Sequence, residues 1–573
     1  MEERITDSKI EIKVIDTTAK EDSNASFPLT EFCQKSMFQT DNPSRCWATC
    51  EWNGFPLDGS INLSDEQGQG LTYPYVSTLT DGRGHFANTH AINIEFSKLH
   101  TSNGITFLFD GMVPDSILIY WYGENGTQIN RKTFYPDSQN YPCENNVRDF
   151  KKLQIVFTST TPYARVKLAN IEYGISILAD GDMLREGTIT EEVDPVSAEI
   201  SINTLGFTIY DRMEEFNPLD FKGKYFGLQE GQKVYVTETV DGKPMKMGTY
   251  YIQTWESNNE HEITFQCIDL IGQINKTVFK KSRMYMDERA ETVIDEIMAS
   301  AGVTDYLIEE ELKNVLINGY IPVCTHREAL QQVAFAIRAV VECDREGRIR
   351  FYRIENVASG KISSDRLFLD GGKIKVKDLI CGIDITTHAY TVSQEQEKVF
   401  EGILPKGKSE ILFGSPVAGI TLDYGEIVES GINYAVVSMA AEGNVTVSGY
   451  KYQDNTAIYH IASGDGEENT AKVQDATLIS KYNVHLLAEH LLKYYALRKE
   501  AEQEYIMEAE KTGRWTNLRL QNNNIVSGCI EKQVIDLTGG FLSTATVVGY
   551  NTVVSDFPFT GTEIHTGEEI GVV

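Results

Sequence analysis

The chain has 573 residues, and 52 Lys plus Arg against 83 Asp plus Glu leave a formal charge of −31. That balance excludes a protein that grips nucleic-acid phosphates or docks on anionic lipid, since both need surplus cations. Hydrophobic residues make up 41% of the chain, which excludes wholesale disorder, and the length predicts three or four domains at roughly 150 residues each.

The opening stretch Met1–Ile10 lacks the apolar core of a Sec-type signal. No run of about 18 apolar residues occurs, so no membrane insertion is expected. Strand signals then dominate. Ser116-Ile-Leu-Ile-Tyr-Trp-Tyr122 is closed by the turn Gly123-Glu-Asn-Gly126. Stretches 153–157, 164–168, 199–202 and 233–237 alternate apolar and polar residues with period two. Stretches 248–255 and 263–268 predict a hairpin. Such strand density implies sandwiches or barrels.

Three helices interrupt the strands. Asp287–Ala301 carries one apolar stripe (Ala290, Val293, Ile294, Ile297, Met298) and ends at Gly302. Thr325-His-Arg-Glu328 is a capping box opening a second helix. The Glu- and Lys-rich stretch Asp475–Glu510 predicts one long helix. Strands return at 528–536 and 541–550, around a Gly539-Gly540 turn. The predicted fold class is therefore mainly β with helical insertions (α+β). The predicted domains are a β-sandwich at 1–176, a barrel at 177–285, a helical domain at 286–372, a second barrel with the long helix at 373–555, and a tail at 556–573.

A search for chemistry returns nothing. There is no HExxH, no GxSxG elbow and no Walker loop. His485 and His490 are five apart, which on a helix puts them on different faces. Nine scattered cysteines predict reduced thiols, and the Cys46/Cys50 pair lacks a second pair for zinc. His90 and His100 follow the polar turn Asp81-Gly-Arg-Gly-His85 without metal spacing. No catalytic residue, metal or cofactor is expected, which favours a structural or binding role.

Several stretches resemble the baseplate hub proteins of tailed phages and tail-like bacteriocins: Thr188–Tyr210, Met247–Ile252 with Ile263–Gly272, Gly319–Ala334, and Asp536–Phe541 with Val547-Val-Gly549. The resemblance covers about 178–550. Before it, Glu51–Ser60, Gly104–Phe109, Ile117–Tyr122 and Tyr163–Gly174 look like a discoidin, or galactose-binding-like, jelly roll.

The hub resemblance implies two tube-like barrels per chain, closing as a homotrimer into a pseudo-sixfold ring. It also implies a tail tube or distal tail protein above, a spike or tip protein below, other baseplate proteins alongside, and assembly in the bacterial cytoplasm with release by lysis. A carbohydrate-binding adhesin or receptor-binding tail protein and, second, a tail-associated cell-wall hydrolase are the alternatives. The jelly roll implies end loops able to hold cell-surface sugar. Sugars stack on aromatic faces, and Tyr73, Tyr75 and Tyr141, near turn signals, are the candidates, whereas Trp52 and Trp121 read as core.

Overall fold

The computed structural model describes residues 4–26, 32–33, 75–109, 112–210, 223, 225–259, 261–368, 372–463, 469–520, 524–554 and 570–572. The protein is predominantly β, with short helices between the strands. Among the described residues no helix is long and apolar enough to cross a membrane.

Fourteen strands form one sheet. Its path runs from Gly174–Ala179 through Thr6–Ile15, Lys233–Val240, Lys243–Asn259, Glu262–Ile268, Thr204–Tyr210 and Leu184–Glu192. It continues through Asn524–Asp536, Leu542–Val554, Lys499–Ile506 and Lys373–Val376. The first seven strands make one half and the rest the other. The halves are stitched by hydrogen-bonded pairing of Thr188–Glu192 with Lys532–Asp536. Alternation explains the burial. Ile10, Ile12 and Val14 point inward from the first strand, and Leu205, Phe207 and Ile209 from another. These side chains join Tyr505, Ile530 and Val547 of the other half in a single hydrophobic core. The two predicted barrels thus share one interior.

The stretch expected as a sandwich, and called so below, is one eight-stranded sheet inserted into the large one, so the expected boundary at 176 moves. Strand Thr6–Ile15 pairs with Gly174–Ala179 on one side and Lys233–Val240 on the other. The chain leaves the large sheet after Ile15 and re-enters at Gly174, which are direct partners. A Cβ on Gly174 would lie 2.1 Å from the Val14 carbonyl oxygen, so only glycine fits at this re-entry point. The inserted sandwich is built on the long bent strands His85–Phe109 and Asn140–Ser159. Its own core is aromatic: Trp121, Phe107, Phe150 and Phe157 are buried, and Phe96 meets Phe150 edge-on at 5.6 Å.

The helical segment forms as the sequence predicts. Helix Ala290–Ser300 buries Val293, Ile294, Ile297 and Met298. Helix His326–Ile337 starts at the capping box, where Thr325 Oγ1 accepts from Glu328 N at 3.2 Å and Glu328 Oε2 accepts from Thr325 N at 2.8 Å. Its core extends past the expected boundary at 372, taking in Ile383, Ile385, Leu478 and Leu487. Strands between 390 and 454 make a further small lobe around Leu404, Ile411, Val437 and Val447.

Two local expectations are corrected. Asp475–Glu510 is not one helix: the helix is Val484–Tyr495, and Lys499–Ile506 is a strand paired with Leu542–Gly549. Ala501, Gln503 and Tyr505 are buried there while their neighbours face outward, so long-range pairing overrides the helix propensity of the Glu-rich stretch. Stretch 199–202 is irregular rather than a strand. Asp194 accepts from Val196 N and Glu199 N, Arg327 Nε donates to the Ile200 carbonyl, and these bonds replace a ladder. In the tail, Ile570–Val572 pairs with Thr552–Val554, and the rest of 556–573 lies outside the described residues.

Candidate functional site

The halves and the helical segment meet at a buried charge. The turn 344–347 of the hairpin Val340–Cys343/Ile349–Tyr352 carries Arg345 into the junction. Its Nε and Nη2 donate to the two carboxylate oxygens of Glu191 at 2.7 and 2.9 Å, and Nη2 also donates to the Glu510 carbonyl at 2.8 Å. Both side chains are nearly inaccessible, at 7% and 5%. Burial opposes the charge on Arg345, but the Glu191 carboxylate outweighs it and holds the guanidinium more firmly protonated than usual. Strand, hairpin and second half are tied through one forked contact. Nearby, Asn203 joins the same elements, accepting from Glu192 N and donating to the Cys343 carbonyl.

A second charged joint fixes the sandwich. His100, buried on a sandwich strand, bonds through Nδ1 to Asp16 at 2.7 Å and through Nε2 to Asp22 at 2.9 Å. One ring thus links two carboxylates, one at each nitrogen. Burial would raise both acids, but hydrogen bonds outweigh it and hold them below the usual carboxylate range: the His100 bond leads for Asp16, and bonds from Ser97 and His100 for Asp22. The histidine that the sequence presents as scattered is the clasp at the insertion point. Its spacing from Asp16 and Asp22 hides this, because contact depends on the strand returning.

The two ends of the large sheet are its open surfaces. Among the described residues, Gly174–Ala179 and Lys373–Val376 each have a strand partner on one side only. Both expose large apolar side chains: Leu178 is 50% accessible, and Ile374 and Val376 are 59% and 50%.

Tyr73, with Trp47, Trp52, Cys46 and Cys50, lies outside the described residues. Tyr75 is fully buried, with its hydroxyl 2.9 Å from His90 Nδ1, and as placed it offers no face to a ligand. Tyr141 is half-buried against the sandwich core. Trp121 is core, as its strand position implies. His90 is satisfied by Tyr75 and by Thr78 Oγ1 at 2.6 Å. Among the described residues no cluster of His, Cys, Asp and Glu could hold a metal, and the six cysteines described there are free thiols.

No family model matches the chain, and no curated protein matches it. Solved structures do. A tail protein from Neisseria meningitidis MC58 aligns at 9% identity and TM-score 0.40, over 64% of this chain and 92% of its own. The 43 kDa tail protein of prophage MuSo2 from Shewanella oneidensis aligns at 12% identity and TM-score 0.37, over 65% and 96%. Chitosan-binding module 1 of a chitosanase/glucanase from Paenibacillus sp. IK-5 aligns at 13% identity and TM-score 0.17, over 27% and 96%.

Proposed function

We propose that the chain is a structural, non-catalytic hub of a phage tail or tail-like particle, three copies closing into a ring between the tail tube and the tip. The observation that carries this reading is the continuous sheet, which crosses both halves without a break and whose main path ends, among the described residues, in an open edge at each end. An open strand edge with exposed apolar residues is a template for pairing with another chain. Because the two edges differ, pairing one with the other on the next copy is a head-to-tail contact, and such contacts close into rings when the rotation permits. Two halves per chain and three chains give six similar units around the axis. The sequence resemblance to baseplate hubs supports the same reading. The charge of −31 suits a ring wall that must not adhere to passing phosphates, since like charge repels over roughly 8 Å at physiological salt. The inserted sandwich is then an outward module, a place for contact with neighbouring baseplate proteins or cell-surface sugar.

Disulfide trapping tests the ring. Leu178→Cys and Ile374→Cys in one chain, oxidised inside assembled particles, should yield cross-linked species up to three times the 64.4 kDa chain mass. Either substitution alone should yield none. Assembled particles in which the double variant stays monomeric would sink the proposal.

A further inference from the structure

A cavity of about 360 Å3 lies where Pro195, the helical segment and the second half of the sheet meet. Val340, Ile354, Leu497 and Trp515 give it apolar walls, and Arg338, Arg353, Lys493 and His490 line it with polar groups. In a chain with 31 excess negative charges this is an unusual gathering of cations. Arg353 is partnered on two nitrogens, Nη1 with Glu311 at 3.3 Å and Nη2 with the Ile337 carbonyl at 3.3 Å. Its Nε is buried with no hydrogen-bond partner among the described residues. The same holds for Nε2 of His490, whose other nitrogen bonds to the Pro195 backbone. Two residues that line one cavity therefore each hold a buried polar atom without a partner among the described residues, and buried polar groups in folded proteins are normally satisfied.

The electrostatics are one-sided. Burial, then the Arg353 charge, pushes Arg338 below its usual range, and Glu311 and Glu489 oppose this weakly. Burial, then Arg338, Arg353 and Lys493, pushes His490 down to about 4, so its ring is neutral at pH 7. An anion placed among these groups would relieve all of them. Apolar walls disfavour a bare inorganic ion, and the volume is at the small end of ligand sites.

We propose that this cavity binds a carboxylate carried on an apolar body, the acid group among Arg338, Arg353 and Lys493 and the body against Trp515 and Ile354. A bound carboxylate offsets the Arg338, Arg353 and Lys493 charges that add to burial in holding His490 neutral, so the imidazole moves toward its protonated form on binding. The ligand would bridge the helical segment, helix Val484–Tyr495 and the sheet. This inference is independent of the hub reading.

Calorimetric titration of the full chain with 2-naphthoate tests it, with uncharged 2-naphthamide as the twin. Naphthoate should saturate one site per chain, and naphthamide should bind about tenfold weaker or less. Arg338→Asn, which suits the left-handed φ of 59° at that position, and Lys493→Gln should each weaken naphthoate about fivefold or more with thermal unfolding unchanged. The His490 ring signals should move to the protonated position on binding. A tetrapeptide ending in phenylalanine, free or amidated, separates two sources. Binding of the free-ended peptide alone assigns the site to a chain terminus, and binding of naphthoate without either peptide assigns it to a free acid. Equal affinity for naphthoate and naphthamide, or no saturation by either acid, overturns the proposal.

Discussion

The inserted sandwich, of eight strands, and the large sheet, of fourteen, build their cores in opposite ways. The sandwich closes an aromatic core on itself, and its charged clasp, His100 with Asp16 and Asp22, sits only at the entrance. The large sheet draws one core from strands separated by more than 300 residues, and its charged pair, Glu191 with Arg345, lies in the middle. A module with a private core is separable. Two halves with a common core and a buried strut are not, although sequence reading assigns them to different domains.

The contrast breaks most sharply at the strut. Arg345→Ala leaves Glu191 buried without its cation, and should cost about 3–5 kcal/mol. In urea unfolding followed by separate probes, both halves should lose stability together while the sandwich transition stays put. A loss confined to one half would show that the halves are independent.

His100→Ala should act locally. It removes both carboxylate partners' donor, costing about 1–3 kcal/mol, and should lower only the sandwich transition. Asp16 and Asp22 have lowered folded-state pKa values, so their stabilisation is present above the ordinary carboxylate range and is lost as pH falls through the folded values. The variant should therefore show a flatter acid limb. An unchanged limb would remove the clasp from the comparison.

The third expected effect is a slope. Burial raises Glu531 to about 7, outweighing Lys377 at 3.7 Å and the Tyr494 hydroxyl. An acid whose folded pKa is raised takes up a proton on folding between its unfolded value and about 7. Stability is thus highest below the unfolded value, falls as pH rises to about 7, and is flat above. Glu531→Gln should remove a fall of about 3 kcal/mol between pH 4.5 and 7. A slope that survives the substitution assigns the proton uptake elsewhere, with Asp269, also raised to about 7 by burial, next in line.

Local signals carried far in the sequence. The hairpin Lys243–Asn259/Glu262–Ile268, the stripe of Ala290–Ser300 and the Thr325 capping box each follow from spacing within about 15 residues. The failures are non-local. Lys499–Ile506 has the composition of a helix, and only its partner at Leu542–Gly549 makes it a strand. The strand Thr6–Ile15 is missing from the sequence reading, and nothing local says that its partners lie at 174–179 and 234–240. The cationic cavity is assembled from residues 195, 338, 353, 490 and 515, and no motif spans such distances. His490, which reads as half-solvated on a helix, becomes a lining group only once the second half of the sheet packs against it.

The pairing of Thr6–Ile15 also orders events during synthesis. This strand emerges from the ribosome well before its neighbours Gly174–Ala179 and Lys233–Val240. At translation speeds of about 5–20 residues per second it waits roughly 8–35 s for its first partner. The sandwich is complete by Tyr173 and has all its contacts in hand before that wait ends. A nascent chain would therefore carry a finished module beside a bare apolar strand, and the module's own closure brings Ile15 to Gly174 and ends the exposure.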